Sequence, residues 1–180
     1  MNFMNTFYKT TYQSPVGTYV LACDKFENLI GVWLVGQKYF CSGADILIEE
    51  DSLKIFRDTK IWLDNYFEGK KPNIKSLPLA PIGNKFRQAV WAELGKIPYG
   101  EVTTYGKIAK EIARQRGLTK MSAQAIGGAV GHNPISIIIP CHRVVGANGN
   151  LIGYAGGIKT KITLLKHEGV NMEQLFVPKV

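Results

Sequence analysis

A cysteine, a histidine and an arginine stand side by side at residues 141–143, directly after an apolar run. The run Ile135–Pro140 is rich in β-branched residues, which favours a buried strand. A strand that ended there would present the Cys141 thiol and the His142 imidazole together with a cation. A thiolate is a nucleophile, and a histidine can take the proton of a thiol. The stretch therefore predicts either a catalytic edge or an accident of packing.

Geometry and acid–base chemistry set conditions on such a site. Neighbouring residues of a strand point to opposite faces, so contact between Cys141 and His142 needs a turn at Pro140 or a bridging water. The second ring nitrogen of His142 also needs an acceptor that orients the ring. Glu168 is a candidate, because it ends a predicted helix, where a carboxylate opposes the helix dipole by about 1 kcal/mol or less. A solvated surface glutamate is the alternative.

A cysteine in this position has two alternative roles, packing and metal binding. A lone buried cysteine usually packs as a small hydrophobic residue. A zinc site would need paired ligand spacing, which the three cysteines and three histidines of the chain do not show. We interpret Cys23 and Cys41 as thiols without chemistry, and we predict no bound metal.

The overall composition is that of an ordinary globular protein, with 180 residues, of which 46% are hydrophobic and 20% are charged. We find no apolar run long enough to span a bilayer and no secretory leader, so we expect a cytoplasmic protein without a membrane partner. An odd number of widely spaced cysteines argues against a disulfide framework and agrees with a reducing compartment.

The excess of positive over negative charge lies entirely in the second half of the chain. Residues 1–80 carry 9 Lys and Arg against 9 Asp and Glu, whereas residues 81–180 carry 13 against 5, a net of +8. A basic half beside a neutral half suggests a polyanionic partner, and a generic basic surface is the alternative. The balance changes at Lys70–Pro81, which contains three prolines and which we interpret as a linker. These features predict two domains, residues 1–80 and 81–180.

The N-terminal domain is predicted to contain a strand meander followed by a helix. Three apolar or alternating segments within residues 6–35 are separated by turn signals at Ser14–Gly17 and Asp24–Asn28. Ser52 is a candidate N-cap for a helix that runs to about Glu68.

The C-terminal domain is predicted to be mostly helical. Asn84, Thr104 and Ser122 are candidate N-caps for three helices, and a fourth runs from about Ile158 to Glu168. A tight polar link joins the second helix to the third, which is typical of a helix-turn-helix. The third helix, AQAIGGAVG, has almost no large side chains, and each interior glycine should cost about 1 kcal/mol relative to alanine. Close approach to another surface, either a second helix or the floor of a DNA groove, would explain this sequence.

Seven motifs in this order resemble those of the O6-alkylguanine-DNA alkyltransferases, also called methylated-DNA–protein-cysteine methyltransferases. The motifs are Phe86–Trp91, Gly100–Gly106, Ala125–Ala129, Asn133–Pro134, Ile139–Val144, Tyr154–Gly157 and His167–Gly169. They cover residues 84–169 at the family's spacing, and the N-terminal part matches in size and in its Ser14–Gly17 turn. The resemblance implies an α/β chain, in which a ribonuclease-H-like antiparallel sheet with a helix precedes a mostly helical, winged-helix-like helix-turn-helix domain.

The resemblance also implies the chemistry. Cys141 would accept the alkyl group of O6-alkylguanine in double-stranded DNA irreversibly, once per molecule, and O4-alkylthymine is a further candidate substrate. His142 would act as the base through a water, and Glu168 would orient it. Tyr105 would help to protonate the leaving base, and Asn133 would tie the recognition helix to the cysteine segment. No cofactor is needed, because the alkyl group comes from the DNA.

The same resemblance assigns residues to two binding surfaces of what we expect to be a monomer. The substrate pocket would be lined by Val144, Tyr154, Ala155, Gly156 and Gly157. The DNA-binding surface would include Thr104, Ser122, Gln124, Ala125, Gly128 and Arg143. Well-known family members carry an arginine at the position of Gln124, where it fills the gap left by the flipped base. Here a shorter and uncharged side chain would have that task.

Two rival functions are weighed against this one. A cysteine hydrolase that uses Cys141 and His142 would turn over and leave no stable adduct. A non-catalytic lesion-binding module of the same fold would lack the cysteine, which is present here. Family members that hold structural zinc use N-terminal ligands, and this chain has no histidine before His132, so the resemblance also predicts no zinc.

Overall fold

A computed structural model describes residues 5–179 of the chain, which form two compact units. The first unit runs to Gly83 and includes Pro134–Ile138, and the second contains Asn84–Asn133 and the chain from Ile139 onwards. The sequence did not predict that Pro134–Ile138 would belong to the first unit. Residues 1–4 and 180 of the two predicted domains lie outside the described residues. Within residues 5–179, no helix is both long and apolar enough to cross a membrane.

The first unit contains a four-stranded sheet. Its strands are β1 (Thr6–Ser14), β2 (Gly17–Cys23), β3 (Leu29–Leu34) and β4 (Ile46–Glu49), in the order β3-β2-β1-β4. The predicted antiparallel meander is confirmed for β1, β2 and β3. The sheet is mixed, which corrects the expected antiparallel sheet at one strand, because β4 pairs parallel with β1. The β4 strand has only four residues and lies at a sheet edge with both isoleucines exposed, so its sequence carries little of the alternation that marks a strand.

Helix α1 (Lys54–Phe67) follows the sheet, but it is not capped by Ser52 as predicted. Its N-cap residue is Leu53, which makes no side-chain cap bond, and the Ser52 hydroxyl donates instead to the carboxylate two residues before it. The main-chain N–H of Ile55, in the first turn of the helix, donates to Glu27 Oε2 at 3.0 Å. A carboxylate from the turn between β2 and β3 therefore satisfies the helix start, where negative charge is favoured.

The segment predicted to be a linker, Lys70–Pro81, is hydrogen-bonded to the sheet. It contains a short 3₁₀ helix at Ile74–Ser76 and then extends along β3. Leu29 N donates to Pro78 O, and Ala80 N donates to Leu29 O, both at 2.8 Å. Because these bonds continue the sheet, the prolines mark an edge segment rather than a free connection.

The second unit contains four helices, α2 (Lys85–Leu94), α3 (Tyr105–Gln115), α4 (Ala123–Gly131) and α5 (Ile158–His167). The three predicted N-caps are confirmed. The side-chain oxygens of Asn84, Thr104 and Ser122 accept from the main-chain N–H three residues ahead. These contacts are local, which explains why the sequence alone identified them.

Helices α3 and α4 form the predicted helix-turn-helix around a shared apolar core. The buried residues are Ile108, Ala109, Ile112 and Ala113 of α3, and Ile126, Ala129 and Val130 of α4. Helix α2 packs on the same core, where Trp91 Nε1 donates to Ala129 O at 2.9 Å. This packing leaves the first turn of α4 in solvent.

The apolar run before the cysteine is not a strand, which corrects the sequence-based prediction. Residues 135–139 are buried, but they follow turns, and Ile137 has a φ of 68°, in the left-handed region. The run touches the sheet at one bridge, where Val32 N donates to Pro134 O at 2.8 Å and Ser136 N donates to Val32 O at 3.0 Å. The apolar composition predicted burial correctly, but burial alone does not specify an extended backbone.

Candidate active site

Cys141 begins a single 3₁₀ turn, Cys141–Arg143, that leads into the short strand β6 (Val144–Val145). This strand pairs parallel with β5 (Thr103–Thr104), which directly precedes α3. Cys141 is buried, with 4% of its surface exposed, and its N–H donates to Ile139 O at 2.8 Å. Successive side chains of a 3₁₀ turn diverge by about a third of a circle. Cys141 and His142 therefore do not lie on opposite faces of a strand, as the sequence suggested.

The thiol of Cys141 is held in its protonated form at rest. Burial raises the pKa of the thiol above its ordinary value. A hydrogen bond from the Asn133 side chain, the charge of Lys161 and main-chain hydrogen bonds act in the opposite direction without reversing it. Because a thiol is a poor nucleophile, the reaction needs a base that takes this proton.

His142 is fully buried, and its two ring nitrogens have different surroundings. Nε2 lies 2.6 Å from Glu168 Oε1, and Nδ1 has no hydrogen-bond partner among residues 5–179. Burial lowers the pKa of His142, and this outweighs the opposing effect of Glu168, so the ring is neutral at neutral pH. An ionised carboxylate can only accept, so Nε2 carries the ring hydrogen and Nδ1 keeps a lone pair. Nδ1 is therefore the atom that can accept a proton.

Glu168 is the centre of a buried network and not a solvated surface residue. Its carboxylate accepts from His142, from Arg143 Nε at 2.8 Å and Nη2 at 3.0 Å, and from Gly100 N at 3.1 Å. Burial raises the pKa of Glu168, but the hydrogen bonds and charges of His142 and Arg143 outweigh it and hold the pKa well below its usual range. The carboxylate is therefore ionised at every pH at which the protein would act.

Arg143 does not lie on the DNA-binding surface, which corrects its predicted role. Only 7% of its surface is exposed, and its guanidinium binds Glu168 on one side and donates to Ile97 O at 2.6 Å on the other. A buried carboxylate needs such a partner, because an unpaired buried charge is strongly destabilising. The sequence placed a cation beside the cysteine but could not show that the glutamate uses it.

Asn133 and Tyr105 both lie near the cysteine. Asn133 directly follows the C-cap of α4, and its Nδ2 donates to Ile139 O at 2.7 Å, which links the end of this helix to the turn before Cys141. The Tyr105 hydroxyl donates to Ile152 O and to Gly153 O, both at 3.2 Å. Burial and the nearby Cys141 raise the pKa of Tyr105 to about 12, so the phenol keeps its proton at neutral pH.

The residues predicted to line the pocket do not all reach a surface. Tyr154, Ala155 and Gly156 are half-buried, and Gly157 is exposed just before α5. Val144 has no exposed surface, so its side chain does not line a pocket that is open to solvent. The assignment of Val144 is therefore corrected to a buried packing position next to the cysteine turn.

Helix α4 presents the predicted DNA-binding positions to solvent. The exposed residues are Ser122, Gln124, Ala125 and Gly128. An open cleft of about 880 Å³ lies between α3 and α4, with Lys110, Arg114, Lys120 and Gln124 among its lining residues. Thr104 is half-buried, and its hydroxyl is engaged in capping α3. The predicted DNA-binding surface is therefore exposed to solvent along α4, and basic side chains line the cleft between α4 and α3.

The glycines of α4 are not required by packing within the chain. A Cβ added to Gly128 or Gly131 would meet no atom within 4 Å, and one added to Gly127 would lie 3.9 Å from the ring of Tyr105, an ordinary contact. Close approach of a second helix, one of the two explanations that the sequence left open, is therefore not supported. An external surface that approaches α4 remains as the explanation.

Two features of the site were not predicted from the sequence. One is the main-chain N–H of Gly100, which binds Glu168 and leaves no signal in the sequence. The other is Lys161, a fully buried lysine on α5. A signal for Lys161 exists, because it stands three residues after Ile158 and four before Leu165, on the apolar stripe of the helix.

Matches to known families cover most of the chain. Residues 7–81 match the ribonuclease-like domain, and residues 85–170 the DNA binding domain, of 6-O-methylguanine DNA methyltransferase. The chain is 36% identical to a methylated-DNA–protein-cysteine methyltransferase of Haemophilus influenzae, over 93% of this chain and 89% of that protein. It is 41% identical to a protein of the same name from Methanosarcina acetivorans, over 90% and 98%.

Solved structures agree with these sequence matches. A crystal structure of Mycobacterium tuberculosis OGT in complex with DNA is similar with a TM-score of 0.79 and 37% identity, over 90% of this chain and 93% of that one. The fold and the site together define a protein with a ribonuclease-like unit and a helix-turn-helix unit that carries a nucleophilic cysteine. The chain belongs to the methylated-DNA–protein-cysteine methyltransferase family.

Proposed function

We propose that this chain is a DNA repair protein that transfers the alkyl group of O6-alkylguanine in DNA irreversibly to its own Cys141. O4-alkylthymine, which carries its alkyl group on a similar exocyclic oxygen, is a second candidate substrate. One observation carries the proposal: the buried thiol of Cys141 adjoins a neutral His142, whose Nε2 is bound to Glu168 and whose Nδ1 is left to accept a proton. Family membership supports the same conclusion.

The first step is removal of the thiol proton. A water between the two side chains carries the proton from Cys141 to Nδ1 of His142, and the ring becomes an imidazolium. Glu168 stabilises this cation through Nε2 and stays ionised, because Arg143 holds its pKa low. The arrangement matches the general rule that a nucleophile is activated by a base which a third group orients.

The second step is displacement at the alkyl carbon. The sulfur of Cys141 forms a bond to carbon while the bond from carbon to the guanine O6 breaks, and the electron pair moves into the base. Tyr105, whose phenol is protonated and lies near the cysteine, supplies a proton to the ring of the leaving guanine. The product is a thioether, which does not hydrolyse, so each molecule acts once.

DNA binding is assigned to the second half of the chain, in which the whole net charge of +8 lies. Lys and Arg side chains neutralise phosphates without reading sequence, which suits a protein that must find damage anywhere. The exposed, glycine-rich face of α4 can approach the narrow minor groove. The protein acts as a monomer on alkylated double-stranded DNA, in a reducing compartment such as the cytoplasm, where the Cys141 thiol persists.

Intact-mass analysis after incubation with an O6-methylguanine duplex tests the function. We expect one added methyl group per chain and no further methyl with excess substrate, because a thioether is not turned over. Peptide mapping should place the methyl on Cys141 and not on Cys23 or Cys41. Release of product beyond one equivalent per chain, without a mass change, would instead identify a cysteine hydrolase.

Gln124 is proposed to fill the space of the flipped base, because it is the long side chain on the exposed turn of α4. Extrusion of a base costs a few kcal/mol, and Gln124 offsets part of this cost. Gln124→Ala should therefore slow repair of duplex DNA by about tenfold, which corresponds to about 1.4 kcal/mol of barrier. The same variant should react with free O6-benzylguanine at the wild-type rate, since a free base needs no extrusion. Gln124→Arg should keep or raise the duplex rate.

The matched control is Gln115→Ala. Gln115 is also an exposed glutamine of the helix-turn-helix, but its side chain donates to Glu93 and Glu111 on the protein surface. We expect this variant to repair both substrates as the wild type does. Equal losses on both substrates after Gln124→Ala, or no loss on either, would show that another side chain, such as Tyr105, extrudes the base.

A further inference from the structure

Lys161 is a fully buried ammonium group that the mechanism above does not use. It lies on α5 with no exposed surface, and it is among the largest completely buried side chains of the described chain. Lysine is almost never fully buried without partners, because removal of the ammonium from water is costly. The partners here are main-chain carbonyl oxygens, at 2.5 Å from Nζ for Val144 O and 3.0 Å for Ile152 O.

These two carbonyl oxygens belong to two different segments of the second unit. Val144 directly follows the Cys141–Arg143 turn, and Ile152 lies in the glycine-rich segment that leads to the substrate pocket. Ile152 O also accepts from the Tyr105 hydroxyl. The ammonium group of Lys161 therefore links the residue after the cysteine turn to Ile152, whose carbonyl oxygen also binds the Tyr105 hydroxyl.

The charge of Lys161 also acts on the nucleophile. It lowers the pKa of the Cys141 thiol against the effect of burial, and in return the cysteine raises the pKa of Lys161. Burial lowers the pKa of Lys161 to about 8, so the group is mostly charged at neutral pH. Its carbonyl partners are dipoles without net charge, so the ammonium gains most when the thiolate appears beside it. An interaction that strengthens along the reaction lowers the barrier, whereas one that is equal throughout does not.

We propose that Lys161 is a positioning residue of alkyl transfer: its ammonium group stabilises the Cys141 thiolate and fixes the Val144 and Ile152 carbonyls that frame the site. The inference rests on the proposed function, but its effect on the thiol does not require DNA. The titratable groups near Lys161 are Cys141 and His142 of the cysteine turn, and Tyr105, whose hydroxyl donates to the same carbonyl oxygen, Ile152 O.

The test measures alkylation of Cys141 by iodoacetamide as a function of pH, in full-length protein, with peptide mapping to separate Cys141 from Cys23 and Cys41. Lys161→Met removes the charge and both hydrogen bonds, and Lys161→Gln keeps a donor without the charge. In both variants we expect the rate of alkylation to fall at pH values below about 8, by about tenfold at pH 7, which is the effect of one unit in a thiol pKa. The alkylation rates of the variants and the wild type should become equal above about pH 8, where Lys161 itself loses its proton.

Two further variants serve as a control and as a test of charge. Lys159→Met removes an exposed lysine from the same helix and should leave the profile unchanged. Lys161→Arg restores the charge and should recover part of the rate. A Lys161→Gln or Lys161→Met profile that coincides with the wild type, with or without a loss of thermal stability, would overturn the proposal and leave Lys161 a structural residue.

Failure of this inference is distinguishable from failure of the proposed function. Wild-type protein that takes no methyl group from an O6-methylguanine duplex would contradict the function, whatever the iodoacetamide profiles show. Wild-type protein that is methylated, with unchanged profiles in the Lys161 variants, would keep the function and reject the role of Lys161. Shifted profiles together with a slower reaction of Lys161→Met with free O6-benzylguanine would support both.

Discussion

Replacement of Cys141 by serine should abolish alkyl transfer, with a loss on the order of 10⁶-fold, the scale found when an enzyme that forms a covalent bond loses its nucleophile. A hydroxyl is far less acidic than a thiol, so neutral His142 cannot generate the corresponding alkoxide in useful amount. Binding to a duplex should be unchanged, because Cys141 is buried and the exposed face of α4 is untouched. Single-turnover loss of methyl from a labelled O6-methylguanine duplex measures the first effect, and fluorescence anisotropy measures the second.

Cys41→Ser is the matched control for this prediction. Cys41 is a half-buried thiol of the first unit, and burial raises its pKa, so it is protonated at neutral pH. We expect this variant to repair DNA as the wild type does. Residual transfer in Cys141→Ser, or a methyl group found on Cys41 in the wild type, would show that Cys141 is not the acceptor.

Local signals in the sequence predicted local structure well. The N-caps Asn84, Thr104 and Ser122 were identified because a cap needs one side chain and one N–H only three residues away. The helix-turn-helix followed from these caps and from the apolar positions between them. The predicted cap Ser52 was wrong, because the N–H of Ile55 at this helix start donates to Glu27, 28 residues before Ile55 in the chain, and no local pattern indicates such a contact.

In the candidate site, too, the sequence predicted which residues take part but not the contacts between distant parts of the chain. Cys141, His142 and Glu168 could be named from residue type and resemblance, but the state of each group depends on contacts across the fold. The run before Cys141 was misassigned as a strand, because β-branched residues indicate burial more reliably than backbone shape, and Ile137 adopts a left-handed conformation inside it. The resemblance placed Arg143 on the DNA-binding surface, and its true partner, Glu168, lies 25 residues away, where no local pattern reveals it.

Replacement of Glu168 by glutamine should slow alkyl transfer by about 10²- to 10⁴-fold, the range that general base catalysis contributes. A neutral amide stabilises the imidazolium less well than a carboxylate does. The amide can also donate to Nε2 of His142, which would place the ring hydrogen on Nδ1, the atom that must accept. The change also leaves the Arg143 guanidinium buried without its counter-charge, which should reduce the free energy of unfolding by about 3–5 kcal/mol.

The difference in unfolding free energy between the wild type and Glu168→Gln should decrease at low pH. Because the pKa of Glu168 is held well below its usual range, its contribution is complete above about pH 4.3, the value for a free glutamate. The contribution is lost as the pH falls through the lowered pKa, since the folded state must then bind a proton that the unfolded state already holds. Denaturant unfolding of both proteins should therefore give a difference that is constant from pH 7 to about 5 and shrinks in stronger acid.

A double variant separates the two roles of Glu168. In Arg143→Met/Glu168→Gln the buried cation is gone, and replacement of both members of a buried ion pair by groups of similar size is often nearly neutral. We expect this variant to recover most of the stability but not the rate of reaction with free O6-benzylguanine. Glu111→Gln is the control, because its pair with Arg114 is at the surface and should contribute little. If the double variant recovered the rate as well, Glu168 would act by supporting the fold alone, and His142 would need no carboxylate to serve as the base.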